Sequence, residues 1–186
     1  LFSGIENRNE KLCCNFVFIM EAIINKVAES GIVSIDLETF LPTEKTRVFD
    51  LKDYLFMGLI LKEKDFRADL LNINWEDYTN AHIAITCSAD AVIPMWANML
   101  VASYLQPVAL SVQFGTEAQL KEKLLLQNVE KVAMDEYVEK RVVIKGCGET
   151  PIPESAYVLI THKLRAVAKS IMYGEPCSTV PIFKRK

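Results

Sequence analysis

Runs of apolar and polar positions divide the chain into alternating strand-like and helix-like stretches. Residues 21–30, "EAIINKVAES", predict a short helix capped by Gly31, and "IVSIDL" (32–37) alternates as a half-buried strand does. "RVFD" (47–50) is expected to pair with it across the "LPTEKT" turn. Asp50 and Asp53 resemble a capping box with Asp in place of Glu, opening a helix through about Leu70. Residues 116–131 predict a further helix, with Lys121, Glu122 and Lys123 turned outward.

The middle and end of the chain say nearly the same thing twice. Tyr78–Gly115 laid on Tyr137–Gly174, a shift of 59 residues, needs no gap and gives eleven identities in 38 positions. Each copy begins with a short apolar run, "HIAIT" (82–86) or "RVVIKG" (141–146), and passes through a cysteine-bearing turn. Pro94 or Pro153 then marks a helix start, where a missing N–H costs nothing. The helix is expected to run about five turns to Gly115 or Gly174, glycine being a favoured C-cap residue. The pattern predicts an α/β fold: a twisted sheet with packed helices, built around a tandem βα repeat at about 78–115 and 137–174.

Residues 91–116 contain no charged side chain, long enough for a membrane span. Polar Asn98, Ser103, Gln106, Ser111 and Gln113, together with Pro107, interrupt the segment, and its sister copy is plainly amphipathic. The expectation is therefore a helix more buried than its sister, and no membrane span. The chain begins at Leu1, and "LCCNFVFIM" (12–20) is a short apolar run. Glu21 follows at once without a small-x-small cleavage site, so residues 1–19 read as an N-terminal extension rather than a signal peptide. No linker-like tract divides the rest, and 20–186 is expected to be a single α/β domain.

Half of the residues are apolar and a quarter charged, with a net charge of −3, which is ordinary globular usage. No basic face suggests nucleic acid, and Lys184, Arg185 and Lys186 read as a solvated end. Without an export signal the expected compartment is the reducing cytoplasm, where structural disulfides are poorly supported.

Setting aside Cys13 and Cys14 in the extension leaves Cys87, Cys147 and Cys177. Two parallel units in one sheet would bring the Cys87 and Cys147 turns to a common C-terminal edge, where α/β proteins bind ligands. Cys177, in "GEPCSTVP", would join them from the tail. Three thiolates favour zinc, copper(I) or an iron–sulfur cluster over hard cations, with Asp90 or Glu149 as an added ligand or nearby support. Without paired CxxC spacing the metal signal is incomplete. Two other readings stay open. Cys147, between Gly146 and Gly148 and beside Lys145, suits a nucleophile activated by a helix N-terminus. Alternatively, each cysteine is a small buried hydrophobe in a structural or interaction protein. His82 and His162 read as surface residues, and no nucleotide-binding, zinc-protease or serine-hydrolase motif is present.

The segments "LKDYLFMGLILKEKDFR" (51–67), "ITCSADAVIPMWANML" (85–100), "VVIKGCGETPIPESAYVLI" (142–160) and "MYGEPCSTVPIFKRK" (172–186) resemble the DUF2480 family of uncharacterised bacterial proteins. The resemblance runs from about Met20 to the end of the chain. It implies a cytosolic accessory role in handling iron–sulfur clusters, with iron–sulfur assembly proteins as partners and Cys87, Cys147 and Cys177 at the matching positions.

Overall fold

Pairing of the strands separates the chain into two sheets rather than one. The computed structural model describes residues 31–145, 148–175 and 178–186. The expected extension and 21–30 helix, together with Cys147 and Cys177, lie outside the described residues. Sheet A has the order β1 (Ile32–Ile35), β5 (Arg141–Ile144), β6 (Ser170–Glu175), β7 (Ser178–Lys184), with the first three parallel and β7 antiparallel. Sheet B is parallel throughout, in the order β2 (Lys45–Asp50), β3 (Ala81–Thr86), β4 (Ser111–Phe114). Helices α1 (Glu63–Leu71), α2 (Met95–Leu105), α3 (Glu117–Glu130) and α4 (Glu154–Val167) connect and cover them.

The α/β expectation holds, while several local expectations change. β1 and β2 do not form a hairpin, because each finds a parallel partner in a different sheet. Parallel pairing buries both faces of a strand, which suits near-continuous runs such as Ala81–Thr86. Asp50 caps only a 3-10 turn at Leu51–Tyr54, its carboxylate accepting from the Lys52 N–H. The chain then makes a tight reversal through Met57 and Gly58, both at positive φ, before α1 begins at Glu63. Gly115 and Gly174 do have positive φ, but Gly115 follows strand β4 and Gly174 lies within β6, so neither caps a helix. The two segments expected to be βα units are thus each βαβ. In the helix of each, Pro94 or Pro153 stands at the N-cap.

Several positions correspond between the two sheets. Shifting by 59 residues carries the buried α1 pair Phe66 and Leu70 onto Leu125 and Val129 of α3. It carries Asn80 onto Glu139, both at φ 56°, and the α2 stripe Ala97, Val101, Leu105 onto Ala156, Ile160, Leu164. Backbone hydrogen bonds follow: Asn80 N–H to Val108 O recurs as Glu139 to Val167, and Leu110 to Ala81 as Lys169 to Lys140. The first strands correspond at a shift of 14, with Asp36 and Asp50 each capping the 3-10 turn that follows. The aligned row Ile35, Ile144, Tyr173 in sheet A therefore matches Phe49, Ile85, Phe114 in sheet B. One half, β2 to β4, is inserted in the chain between β1 and α3 of the other.

Two cores result. Sheet B packs Phe49, Ile83 and Ile85 against α1 and α2, and Phe49 stacks on Tyr54 and Trp75 at centroid separations of 5.4 and 5.8 Å. Sheet A packs Ile35, Val142, Ile144 and Ile171 against α4 and one stripe of α3, Leu125 and Val129. An adjacent stripe of α3, Leu120 and Leu124, covers Ala84 on the opposite face of sheet B. The small Ala84 side chain lets the helix approach that strand. Thr116 and Gln119 fix the start of α3 in a reciprocal capping box. Its end is held by Lys163, whose ammonium donates to the Val129, Glu130 and Val132 carbonyls, a cation where the helix dipole favours one. Among the described residues, no helix is long and apolar enough to cross a membrane.

Because both tryptophans belong to the sheet B half, they report on whether α3 couples the cores. Leu125→Ala is expected to cost about 2–5 kcal/mol and to move the urea midpoint read by tryptophan fluorescence as well as that read by far-UV circular dichroism. An unmoved fluorescence midpoint would show that the halves unfold independently.

Candidate functional site

Each sheet carries a cleft at the C-terminal edge of its parallel strands, where backbone turns away and side chains from several segments meet. Cleft A, about 580 Å³, is lined at its polar side by Asp36, Glu38, Lys145, Thr150 and Glu154, and elsewhere by Ile144, Tyr157 and Tyr173. Cleft B, about 540 Å³, is lined by Leu51, Thr86, Cys87, Met95, Asn98 and Phe114, among others. The two occupy corresponding places: Thr86, Met95, Asn98, Met99 and Phe114 of cleft B map 59 residues on to Lys145, Glu154, Tyr157, Val158 and Tyr173 of cleft A.

Charge distinguishes them. Asp36 follows β1, and its Oδ2 accepts a hydrogen bond from Lys145 Nζ at 3.0 Å just beyond β5. That bond, helped by the Glu38 N–H, holds the Asp36 carboxyl below its usual range against the opposing effect of burial. Lys145 is correspondingly raised, by the Asp36 bond first and by the field of Glu175 and Glu38 as well. Glu38 reaches across the cleft, where its Oε1 accepts from the Thr150 N–H at 2.6 Å. It lies so close to Gly148 that a Cβ there would collide with its carboxylate. Tyr157 and Tyr173 meet edge to face at 5.7 Å. In cleft B the matching acid, Asp50, accepts from the Ser88 N–H at 3.0 Å. Burial raises its pKa, but bonds from Ser88 and Lys52 outweigh that and leave it lowered.

The expected site residues divide between these clefts. Cys87 follows β3 of sheet B, packs beside the aromatic core and directs its Sγ to the Ala89 carbonyl at 3.6 Å. Asp90 is exposed in the same turn, whereas Glu149 is exposed in the turn beside cleft A. The expectation that both turns share one sheet edge is therefore corrected: they end strands of different sheets. Cys147 and Cys177 lie outside the described residues, although their chain neighbours Lys145, Gly148, Glu175 and Ser178 do not. Among the described residues, no three His, Cys, Asp or Glu side chains are grouped to hold a metal ion. His82 is half-buried, its Nδ1 2.7 Å from the Ser111 hydroxyl, and is not a free surface group.

Sequence reasoning missed Asp36, Glu38, Tyr157 and Tyr173. One signal was present: "SIDL" (34–37) and "VFDL" (48–51) place an Asp-Leu pair after two separate strands.

The fold is mixed α/β, with two sheets that contain parallel strands and a recess at each strand edge. The chain belongs to the family described as a protein of unknown function, DUF2480, whose model matches residues 21–185. Comparison with curated proteins and with solved structures returned no match.

Two outcomes test cleft A. Gly148→Ala is expected to cost about 1 kcal/mol by displacing Glu38 from the Thr150 N–H, and the cost should vanish when Glu38→Ala is added. An equal cost in both backgrounds would mean that the crowding lies elsewhere. Asp36→Asn keeps an oxygen for the 3-10 turn but loses the ion pair. Since the folded pKa of Asp36 lies below its unfolded value, near 3.9, the carboxylate stabilises the fold above that value and the benefit disappears as pH falls through the folded pKa. Wild type and Asp36→Asn should thus differ in melting temperature at pH 7 and converge once pH has fallen below the folded pKa; a constant offset would contradict the assignment.

Proposed function

We propose that this protein is an accessory protein that binds a soft metal ion, zinc or iron within an iron–sulfur cluster, through cysteine thiolates at the edge of sheet A. One observation carries the reading: cleft A is lined by Lys145 and Gly148, which bracket Gly146 and Cys147 in the chain, and by Tyr173 and Ile182 of the β6–β7 pair joined through Pro176 and Cys177. Lys145 stands at that edge, paired with Asp36. Thiolates suit zinc and iron–sulfur clusters better than hard cations. Cys147 and Cys177 are the principal ligands in this proposal, with Glu149 as a carboxylate beside them. Cys87 and Asp90, also expected as ligands from the sequence, belong to the turn at the other cleft and are less favoured. Iron–sulfur assembly proteins in the cytoplasm are the partners that the reading implies.

A second reading is favoured by the size of cleft A, which falls in the range of small-molecule sites, ~300–1,000 Å³. There Cys147 would act as a nucleophile in a thiol-dependent enzyme.

Anaerobically purified protein carrying Cys13→Ser and Cys14→Ser separates these readings. Stoichiometric zinc, or iron with sulfide and a visible chromophore, should be retained in Cys87→Ala and lost in Cys177→Ala and Cys147→Ala. Metal-free protein with a single rapidly alkylated Cys147 would overturn the metal reading in favour of the enzyme. Slow, equal alkylation of all three thiols only on unfolding would leave a structural protein.

A further inference from the structure

Residues 55–61, "LFMGLIL", carry no charge, and the core of the sheet B half uses only their two ends. Leu61 is buried in that core, and Leu55 packs against it. Between them Phe56 and Ile60 form a short antiparallel bridge, and Met57 and Gly58 turn the chain at φ 53° and 72°. Phe56, Met57, Leu59 and Ile60 are left exposed over 47%, 81%, 64% and 61% of their areas. Single exposed hydrophobes are ordinary, but four large ones on a single tight turn are not. The fold does not require this tip. In the sheet A half the positions that match Phe56, Met57 and Gly58 are Pro42, Thr43 and Glu44, which lead straight into β2.

Two further observations bear on what covers the tip. Its backbone is largely satisfied from within: the Phe56 N–H donates to the Ile60 carbonyl, the Gly58 N–H to that of Leu55, and the Leu59 and Ile60 N–H groups to that of Phe56. A turn whose amides are already paired can leave water for an apolar medium, whereas one that adds to a partner's sheet needs them open. The charges stand at the base of the turn, and none on its tip. Lys62 lays its ammonium over the Phe56 ring, 3.2 Å from the centroid, and Lys52 and Lys64 flank the same base along the chain. Glu63 pairs with Arg67, so Asp53 and Asp65 are set against three lysines. An aromatic ring with cations beside it, behind an uncharged apolar tip, matches the layering of a lipid interface. We propose that residues 56–60 are a surface anchor that inserts into the interfacial layer of a phospholipid bilayer, with Lys52, Lys62 and Lys64 at the depth of the headgroups. The anchor lies on the membrane and does not span it. It uses no residue that lines cleft A or cleft B, and so stands or falls apart from the thiolate reading.

The test is flotation of the full chain with vesicles of phosphatidylcholine, alone or mixed with phosphatidylserine. Wild type should float with both, and more strongly with the anionic mixture. Leu59→Glu, at an exposed position, should weaken flotation with both at least about tenfold, because it places a charge on the inserted tip. Lys62→Gln should lose about fivefold, and with the anionic mixture only. The tryptophan introduced by Leu59→Trp should shift its emission to the blue when vesicles are added, a change that Trp75 and Trp96 of the wild type should not show. Val158→Glu, an exposed apolar position of α4, should float as wild type does. No flotation of wild type with either vesicle would overturn the proposal, and so would undiminished flotation of Leu59→Glu with its circular dichroism unchanged. So would a Leu59→Glu effect confined to sedimentation without lipid, which would make the tip an interface between copies of the chain.

Discussion

Helix α3 has to satisfy two sheets at once, and the arrangement of the molecule follows from that demand. Two adjacent stripes, Leu120 with Leu124 and Leu125 with Val129, leave the helix about a third of a turn apart. One closes over Ala84 of sheet B, and the other completes the core of sheet A. A three-stranded parallel sheet needs cover on both faces. Sheet B obtains its second cover from a helix that belongs, by correspondence, to the other half. The insertion of one half within the chain of the other makes this sharing compulsory, since β1 and β5 must still meet across more than a hundred residues. The charged and polar contacts at the ends of α3, through Thr116 and Lys163, then set its position along both sheets.

Equal geometry does not mean equal chemistry. The clefts share strand ends, a capping aspartate and a proline-started helix, yet cleft A is charged and cleft B apolar. The difference comes from few positions: Lys145 against Thr86, Glu154 against Met95, Tyr157 against Asn98. Asp36 shows how such a change alters a site. It keeps the capping role that Asp50 has, and because Lys145 stands opposite, it also enters an ion pair at the strand edge. The fold supplies the recesses, and the side chains decide what each one holds.

Much of this was legible in the sequence, though not all for the right reason. The 59-residue correspondence could be read because strand, proline and glycine positions keep their spacing. Its helices were overextended because "SVQF" (111–114) is a short strand without clear alternation, directly after a helix that continues its apolar run. The partner of β1 was misassigned since short-range pairing is the default expectation, whereas β5 lies beyond the whole inserted half. The same insertion hid the sheet assignment of the cysteine turns: nothing local in "ITCSAD" or "IKGCGE" tells which sheet its strand joins. Asn98 and Tyr157 were unreadable as site residues because each occupies an ordinary helical position whose importance comes only from the cleft beside it.

The proposed thiol site pairs Cys147 with Cys177 and leaves Cys87 out, and a bridging reagent tests it most directly. Phenylarsine oxide bonds two thiols only when they approach one another, so its capture reports proximity without any metal. With Cys13 and Cys14 replaced by serine, the Cys87→Ala chain should still take up one equivalent, measured by intact mass. Cys177→Ala and Cys147→Ala should each take up none. Capture that requires Cys87, or none in the chain that keeps Cys147 and Cys177, would contradict the account.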